Sequence, residues 1–224
     1  MPKNPSPTEP RWQRRAESRP QELLDAGLAE FVARGYAATR LDEVAKRAGV
    51  SKGTLYLYYE NKADLFKAVV RQSLVANLDA AEAAMSAYHG GSRELLAYFL
   101  TEFTRRISDS PLSGIPKLVL AEAGNFPEIA HFYFEEVVQR GRRLVQGILM
   151  RGMETGEFRR VDPDYAWRVV VAPLVLGILW KHSFLAFEQE GLDFERHLQS
   201  HLDLLFNGLA GHSGIEQGTA KEAI

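Results

Sequence analysis

Residues Thr39 to Lys62 read TRLDEVAKRAGVSKGTLYLYYENK, and this stretch decides the fold of the N-terminal part of the chain. Thr39 and Asp42 have the spacing of a capping box, which predicts the start of a short helix. Gly49 supplies the backbone freedom that a tight turn between two packed helices needs. The apolar residues of the first helix recur on one face, at Leu41, Val44, Ala45 and Ala48. The pattern predicts two short helices joined by a turn.

The second predicted helix is densely set with side chains that can contact DNA. Ser51 is expected to cap it, and Leu55 is expected in the core. The helix has about two turns, and an isolated helix below roughly 12 residues is marginal in water. Neighbouring helices must therefore hold it, which suits a helix that inserts into a major groove. The residues left for an outside partner are Lys52, Gly53, Thr54, Tyr56 and Tyr58.

The flanking segments also read as helices. Upstream, Gly35 stands where a helix usually stops, after apolar residues in helical spacing at Leu24, Leu28, Phe31 and Val32. Downstream, Asn61 with Asp64 predicts another helix cap, followed by Leu65, Phe66, Val69, Val70 and Leu74. Three helices and a long fourth make a compact DNA-reading unit with a connector behind it.

The segment from Pro20 to Val70 resembles the DNA-binding domain of the TetR (tetracycline-repressor) family of bacterial transcriptional regulators. The spacing from Gly35 to Lys62 fits the family without an insertion, although Arg40 stands where a small hydroxyl residue is common. The resemblance covers about a quarter of the chain. The residues that carry it are Phe31, Gly35, Tyr36, Thr39, Val44, Ala45, the run Ala48-Gly49-Val50-Ser51, Gly53, Thr54, Leu55, Tyr56, Tyr58, Lys62, Leu65 and Phe66.

The resemblance implies a repressor that occupies a palindromic operator on double-stranded DNA as a homodimer and leaves it when a small molecule binds. The matching fold is all-α, with about nine helices in two domains. Residues 19–66 are expected to form the helix-turn-helix domain, and residues 67–210 a helical domain for ligand sensing and dimerisation. Residues 1–18 are expected to be a flexible basic arm, and residues 211–224 a disordered tail.

Past residue 70 the chain contains no strand pattern. Helices are expected at about 61–88, 92–108, 115–123, 127–156, 163–187 and 193–208, separated by Gly- and Pro-containing breaks. The run Val169 to Trp180 contains Pro173 and is shorter than the roughly 20 residues that span a bilayer. The N-terminus lacks the apolar core of a signal peptide. These features predict a cytoplasmic protein without a membrane partner.

Charge is divided unevenly along the chain. Residues 1–66 hold 11 Lys and Arg against 9 Asp and Glu, whereas the remainder holds 16 against 20, so the halves carry +2 and −4. The positive part is the part with the motif, as expected of a DNA-binding domain. Arg11, Arg14, Arg15 and Arg19 can track phosphates or enter a minor groove, or they can belong to a solvated leader.

Within the motif, roles follow from side-chain chemistry. Lys52 and Tyr56 are predicted to reach base edges, and Gly53 lets the backbone approach closely. The residues predicted to hold phosphates, and so to fix the register on DNA, are Thr39, Arg40, Ser51, Tyr58 and Lys62.

The C-terminal part offers candidates for a ligand pocket and a dimer seam, each with a simpler alternative. Aromatic residues can line a pocket for an apolar or aromatic effector or fill the core; the pocket candidates are Phe99, Phe103, Phe126, His131, Phe132, Tyr133, Trp167 and Arg168. The last two helices can form an intersubunit four-helix bundle or an intramolecular core. The dimer candidates are Val170, Leu174, Gly177, Ile178, Leu198, Leu202, Leu205 and Phe206.

Other functions find little support in the sequence. No cysteine occurs, so disulfides, thiol catalysis and thiolate metal sites are excluded. His197 and His201 have metal-ligand spacing but lack a third ligand, and the acidic pairs on long helices read as solvated faces. We therefore expect no enzyme activity, no metal and no cofactor. The main rival is an architectural or cell-division DNA-binding protein with the same head and no inducer.

Overall fold

The computed structural model describes residues 11–210 except residue 109, and within that range the chain forms nine helices and no strand. The predicted tail and the first ten residues of the predicted arm lie outside the described residues. The helices are α1 Arg11–Ala38, α2 Leu41–Arg47, α3 Lys52–Tyr58, α4 from Lys62–Val70 through a π-helical turn Arg71–Val75 to Ala76–Ala87, α5 Ser92–Ile107, α6 Gly114–Glu122, α7 from Pro127–Tyr133 through a π-helical turn Phe134–Val138 to Gln139–Glu154, α8 Pro163–Lys181, and α9 Phe194–Leu209. The all-α prediction is confirmed.

Two helix bounds differ from the sequence expectation. Helix α1 begins at Arg11 rather than after residue 18, because the intervening segment is rich in Arg, Gln, Glu and Ala, which favour helix. Helix α8 ends at Lys181, and a short 3-10 turn at Leu185–Phe187 replaces the expected continuation. The α8 end closes in a tight turn, in which the Ser183 amide donates to the carbonyl of Trp180.

The described chain divides into two compact units. The first contains α1 to α3, α4 up to Ala80, and Ile107–Gln139; the second contains Ala81–Arg106 and the chain from Arg140 onward. The predicted functional division at residue 66 stays a prediction, because packing alone does not assign function.

The first unit is built around aromatic side chains. Phe31 stacks on Tyr36, and Phe66 meets both rings edge-on with centroids 5.3 and 5.6 Å away. Gly35 adopts φ 79°, so the regular part of α1 ends there as predicted. Leu55 and Leu65 are fully buried and fasten α3 and α4 to this core. Burial of apolar surface therefore holds the three short helices in place.

The second unit has an aliphatic core. Helix α5 contributes Leu96 and Leu100, α7 contributes Val145 and Leu149, and these pack with inward residues of α8 and α9. His197 and His201 use their Nε2 atoms at 3.0 and 2.7 Å from α8 carbonyl oxygens. The helical pair of histidines thus joins α9 to α8, and the described residues contain no group able to hold a metal ion.

Candidate nucleic-acid interface

The turn between α2 and α3 is fixed by local contacts that the sequence anticipates. Gly49 adopts φ 67°, a conformation that side chains other than hydrogen disfavour. The Val50 amide donates to the carbonyl of Ala45 at 3.0 Å and closes the turn. Ser51 caps α3, since its Oγ accepts a hydrogen bond from the Thr54 amide at 3.1 Å. The predicted cap of α4 is also present, with Asn61 Oδ1 accepting from the amide of Asp64.

A buried carboxylate, absent from the sequence prediction, fastens α2 to α1. Glu30 is only 3% exposed, and its two oxygens lie 2.8 Å from Arg47 Nε and 2.7 Å from Arg34 Nε. The hydrogen bond from Arg47 is the largest cause that lowers the pKa of Glu30. Glu30 therefore stays ionised near neutral pH and holds the helix that supports α3. Its position in the apolar register of α1, one residue before Phe31, was the available signal.

Thr39 does not form the predicted capping box. Its side chain is buried, and its hydroxyl donates to the carbonyls of Gly35 and Glu30 at 2.7 and 3.2 Å. Arg40 rather than Thr39 is the N-cap residue of α2, and no side chain caps it. The hydroxyl of Thr39 therefore shapes the end of α1, and its predicted phosphate contact stays a prediction.

Lys62 is likewise used inside the first unit. Its ammonium donates to the carbonyls of Tyr36, Ala37 and Thr39 at 2.7, 2.9 and 3.2 Å, and it lies 4.6 Å from the ring centroid of Tyr36. Burial lowers the pKa of Lys62. These bonds use all three ammonium protons on carbonyls that the helix leaves unpaired. In this structure Lys62 closes the end of α1, and its predicted phosphate contact stays a prediction.

The outer face of α3 is open. Tyr56 and Tyr58 are 45% and 41% exposed, and Lys52, Ser51 and Gly53 are exposed as well. Thr54 is half-buried, and its hydroxyl lies 2.9 Å from that of Ser51.

Leu57, which the sequence reasoning passed over, is 84% exposed on the same short helix. An exposed leucine between two exposed tyrosines gives α3 an apolar surface of the kind that contacts thymine methyl groups. The available signal for Leu57 was its place in the motif, between Tyr56 and Tyr58.

Gly53 leaves a gap between the side chains on this face of α3. A Cβ added there would meet no atom closer than the Oγ of Ser51, 3.8 Å away, so the fold itself does not require glycine. The absence of a side chain leaves the backbone accessible on the outer side of α3, and the close approach of a partner there stays a prediction.

Comparison with known proteins identifies this arrangement. The family model for bacterial regulatory proteins of the tetR family matches residues 23–69, and the model for the tetracyclin repressor-like C-terminal domain matches residues 88–186. The chain belongs to the TetR family. Its N-terminal helices are therefore a DNA-binding helix-turn-helix domain, and the chain is a transcriptional regulator.

Individual relatives and solved structures match the chain at low sequence identity. The chain is 23% identical to the fatty acid metabolism regulator protein of Bacillus subtilis over 138 residues, which cover 62% of this chain and 70% of that protein. The structure of FadR from Bacillus subtilis in complex with stearoyl-CoA matches with a TM-score of 0.68 at 22% identity, covering 84% of this chain and 98% of the other. The ketosteroid regulator KstR2 of Mycobacterium tuberculosis matches with a TM-score of 0.67 at 22% identity, covering 86% and 95%.

The predicted pocket residues of this TetR-family chain fall in both units. In the first unit, Phe126 packs edge-on against Tyr36 with centroids 4.7 Å apart. Phe132 is buried, with the guanidinium of Arg71 4.9 Å from its ring centroid. The other two members of this group are the exposed His131 and the half-buried Tyr133. Their contact with a ligand stays a prediction.

In the second unit, Phe99, Phe103 and Trp167 pack partly buried against the aliphatic core. The guanidinium of Arg168 lies 4.7 Å from the Trp167 ring centroid. Trp167 Nε1 and Thr104 Oγ1 are among the buried polar atoms of this unit that have no hydrogen-bond partner within the described part of the chain. Leaving a buried donor unpaired costs about 1–3 kcal/mol, so these atoms can each gain from a further hydrogen-bond partner.

The predicted dimer residues need correction. Val170, Leu174, Ile178, Leu198 and Phe206 are each at most 6% exposed inside the second unit, so they form its core rather than an outer seam. A Cβ on Gly177 would lie 3.3 Å from Phe194 and 3.5 Å from His197, so its close approach is to α9 of the same chain. Leu202 and Leu205 are half-buried against the same core.

The opposite face of α8 is apolar and uncovered. Tyr165, Val169, Leu176 and Trp180 are 72%, 66%, 58% and 37% exposed, and they recur in helical spacing. Leu204 on α9 is 73% exposed. Helix α8 has the length and hydropathy of a membrane span, with 22% of its apolar window buried. Its inward face packs on α9, so within the described residues one stripe of α8 stays largely exposed.

Proposed function

We propose that the protein is a ligand-responsive transcriptional repressor that binds a palindromic operator as a homodimer. The observation that carries the proposal is the exposed face of α3, a capped seven-residue helix that buries Leu55 and presents Lys52, Tyr56 and Tyr58 outward. A helix of this length fits a major groove and reaches only a few base pairs. Two copies are needed to specify one site among the many in a genome.

DNA contacts are assigned by exposure and chemistry. Lys52 and Tyr56 read base edges, and Leu57 contacts thymine methyl groups. Arg40, whose side chain is 77% exposed, and Tyr58 contact phosphates and fix the register. Ser51 supports this surface by capping α3, while Lys62 and Thr39 hold the adjoining end of α1.

The dimer forms through the outward stripe of α8 with Leu204. A two-fold axis brings the same apolar stripe of each subunit together, so one surface supplies both sides of the contact. This explains why a 19-residue apolar helix is buried on only one side within the chain. It also replaces the inward residues first chosen for the seam.

The effector is an apolar molecule bound in the second unit, and long-chain acyl thioesters of coenzyme A are the first class to test. FadR from Bacillus subtilis binds stearoyl-CoA and shares the fold, which supports the choice. Phe99, Phe103 and Trp167 offer apolar surface, and the Trp167 indole offers an unpaired donor for a carbonyl oxygen. A ligand shifts operator affinity only through its different affinity for the two shapes of the protein.

The test is a binding assay with the duplex found upstream of the gene that encodes the protein, and with a random duplex of equal length. We expect preference for the upstream duplex and its release by stearoyl-CoA. Trp167→Phe keeps the aromatic ring and removes the N–H, so it should weaken stearoyl-CoA binding while leaving operator binding intact. Equal binding to both duplexes would favour the architectural alternative, and unchanged operator affinity at saturating stearoyl-CoA would exclude this effector class.

A further inference from the structure

The acidic side chain of Asp42 lies beside two cations, Lys52 and Arg40, next to the DNA-reading face. Its Oδ1 lies 2.7 Å from Lys52 Nζ, and its Oδ2 lies 3.8 Å from Arg40 Nη2. The side chains of Lys52 and Arg40 are 59% and 77% exposed, so both are open to an outside partner. The hydrogen bond between Asp42 and Lys52 lowers the pKa of Asp42 and raises that of Lys52. The pair is therefore ionised and nearly neutral as a unit.

The fold itself gains little from this ion pair. Exposed pairs of this kind contribute little to stability because water screens them and two long side chains lose freedom. Helix α2 already carries a second carboxylate in its first turn, Glu43, which complements the helix dipole. Leu55 and the Glu30–Arg47 pair hold α2 and α3 in place. Stability therefore does not account for the position of Asp42 beside Lys52, and the interaction with DNA is the remaining explanation.

Phosphates and base edges respond differently to the Asp42 carboxylate. An ammonium group has three donors, so Lys52 can keep its bond to Asp42 while it donates to a neutral acceptor such as guanine O6 or N7. A phosphate that approached Lys52 would come close to the carboxylate as well, and the two negative charges would repel each other. The carboxylate thus favours a base acceptor over a backbone phosphate as the partner of Lys52.

We infer that Asp42 is a specificity-determining residue that acts through Lys52, holding the ammonium away from phosphates and leaving it free for a base acceptor. The inference rests on the proposed binding of DNA by α3. It predicts that removing the carboxylate strengthens binding to DNA of any sequence and so reduces discrimination. In this sense Asp42 is a positioning residue with an electrostatic role, and its own side chain makes no base contact.

The experiment compares Asp42→Asn with Glu43→Gln in the full chain. Each variant removes one negative charge from the same turn of α2, but only Asp42 touches Lys52. Affinities are measured by fluorescence anisotropy over a range of KCl concentrations, with a random duplex and with a duplex enriched by in vitro selection. We expect Asp42→Asn to raise affinity for the random duplex about 2- to 5-fold and to steepen its salt slope by about 0.9, the value for one added phosphate contact. Glu43→Gln should change both quantities much less.

The same comparison in a Lys52→Met background isolates the contribution of the Asp42–Lys52 pair. With Lys52→Met present, Asp42→Asn should raise affinity for the random duplex less than it does in the unaltered protein, because the ammonium that it releases is gone and only the longer 3.8 Å contact with Arg40 remains. Lys52→Met alone should reduce affinity for the selected duplex and leave the random duplex nearly unchanged, and this measurement decides the matter if Asp42→Asn does not fold. Equal effects of Asp42→Asn and Glu43→Gln, or weaker random binding by Asp42→Asn, would overturn the inference. Failure of the unaltered protein to bind either duplex would overturn both the inference and the proposed function.

Discussion

Replacing Lys62 by Met removes the charged group that closes the end of α1 while keeping a side chain of similar length. Three carbonyls, those of Tyr36, Ala37 and Thr39, lose their donor. A hydrogen bond to a charged group contributes about 1.5–3 kcal/mol, but these three share one ammonium and water reaches part of the site. The cation–π contact with Tyr36 at 4.6 Å adds about 0.5–1 kcal/mol. We expect a total loss of about 2–4 kcal/mol in the free energy of unfolding.

Urea unfolding followed by circular dichroism measures this loss. Lys46→Met is the matched control, because Lys46 is exposed on the neighbouring helix α2 and loses the same charge. The control should unfold within about 0.5 kcal/mol of the unaltered protein, as surface substitutions usually do. If Lys62→Met were as stable as Lys46→Met, the role given to the three carbonyl contacts would be wrong.

DNA binding separates this role from the phosphate contact that the sequence suggested for Lys62. A lost phosphate contact lowers the salt slope of binding by about 0.9. A positioning residue instead weakens binding without changing the number of phosphates neutralised. We expect Lys62→Met to bind DNA more weakly with an unchanged salt slope, measured at a temperature where the variant is folded. A salt slope of binding reduced by about 0.9 would show instead that Lys62 contacts a phosphate.

Three further predictions concern α3, the dimer and pH. Gly53→Ala should leave the fold intact or stabilise it by up to about 1 kcal/mol, since the added Cβ finds room. The same variant should weaken DNA binding about tenfold or more, because the Cβ blocks a base contact. Normal DNA binding by this variant would show that α3 does not approach DNA at Gly53. Leu176→Glu should give a mass of 25.1 kDa by light scattering instead of twice that value, because a charge enters the apolar seam; a dimer that survives the substitution would place the seam elsewhere. Burial lowers the pKa of His201, whose Nε2 lies 2.7 Å from the carbonyl oxygen of Val170, so folding favours the neutral imidazole. The contribution of His201 to the free energy of unfolding is therefore present above the unfolded pKa of about 6.5 and is lost as the pH falls below that value. Urea unfolding at pH 7.5 and 5.5, two values chosen to lie about one unit above and below that pKa, should show a smaller pH dependence for His201→Gln, and an equal dependence in both proteins would contradict this.

Local patterns predicted the DNA-binding part well because its signals are contained within short stretches. The turn at Gly49, the caps at Ser51 and Asn61 and the burial of Leu55 depend on residues a few positions away. The capping box predicted at Thr39 was wrong for the same reason. The spacing of Thr39 fits a capping box, but the hydroxyl is taken by carbonyls of α1, four and nine residues back.

Long-range contacts explain what the sequence left out. Glu122 accepts a hydrogen bond from the amide of Ala37 at 3.1 Å, across 85 residues of sequence. The partners of Lys62 lie 23 to 26 residues away, so no local spacing rule reveals them. Glu30 lies in the apolar register of α1, but its partner Arg47 is 17 residues away, so local patterns do not reveal the pair.

The dimer residues were misplaced for a different reason. Helix α8 is apolar on both faces, so its periodicity does not tell which face turns inward. The residues chosen from the sequence, such as Leu174 and Ile178, lie on the face that packs within the chain. Only the position of α9 shows that Val169 and Leu176 are on the outside.

In vitro selection from a random duplex library, with the purified full-length protein, tests the central claim most directly. If two copies of α3 read DNA across a dimer axis, the enriched sequences will share an inverted repeat whose halves lie about one helical turn, roughly 34–36 Å, or a multiple of it apart. Gly53→Ala should enrich no such repeat. Selection of a single half-site, or of no sequence at all by the unaltered protein, would contradict sequence-specific operator binding by a dimer.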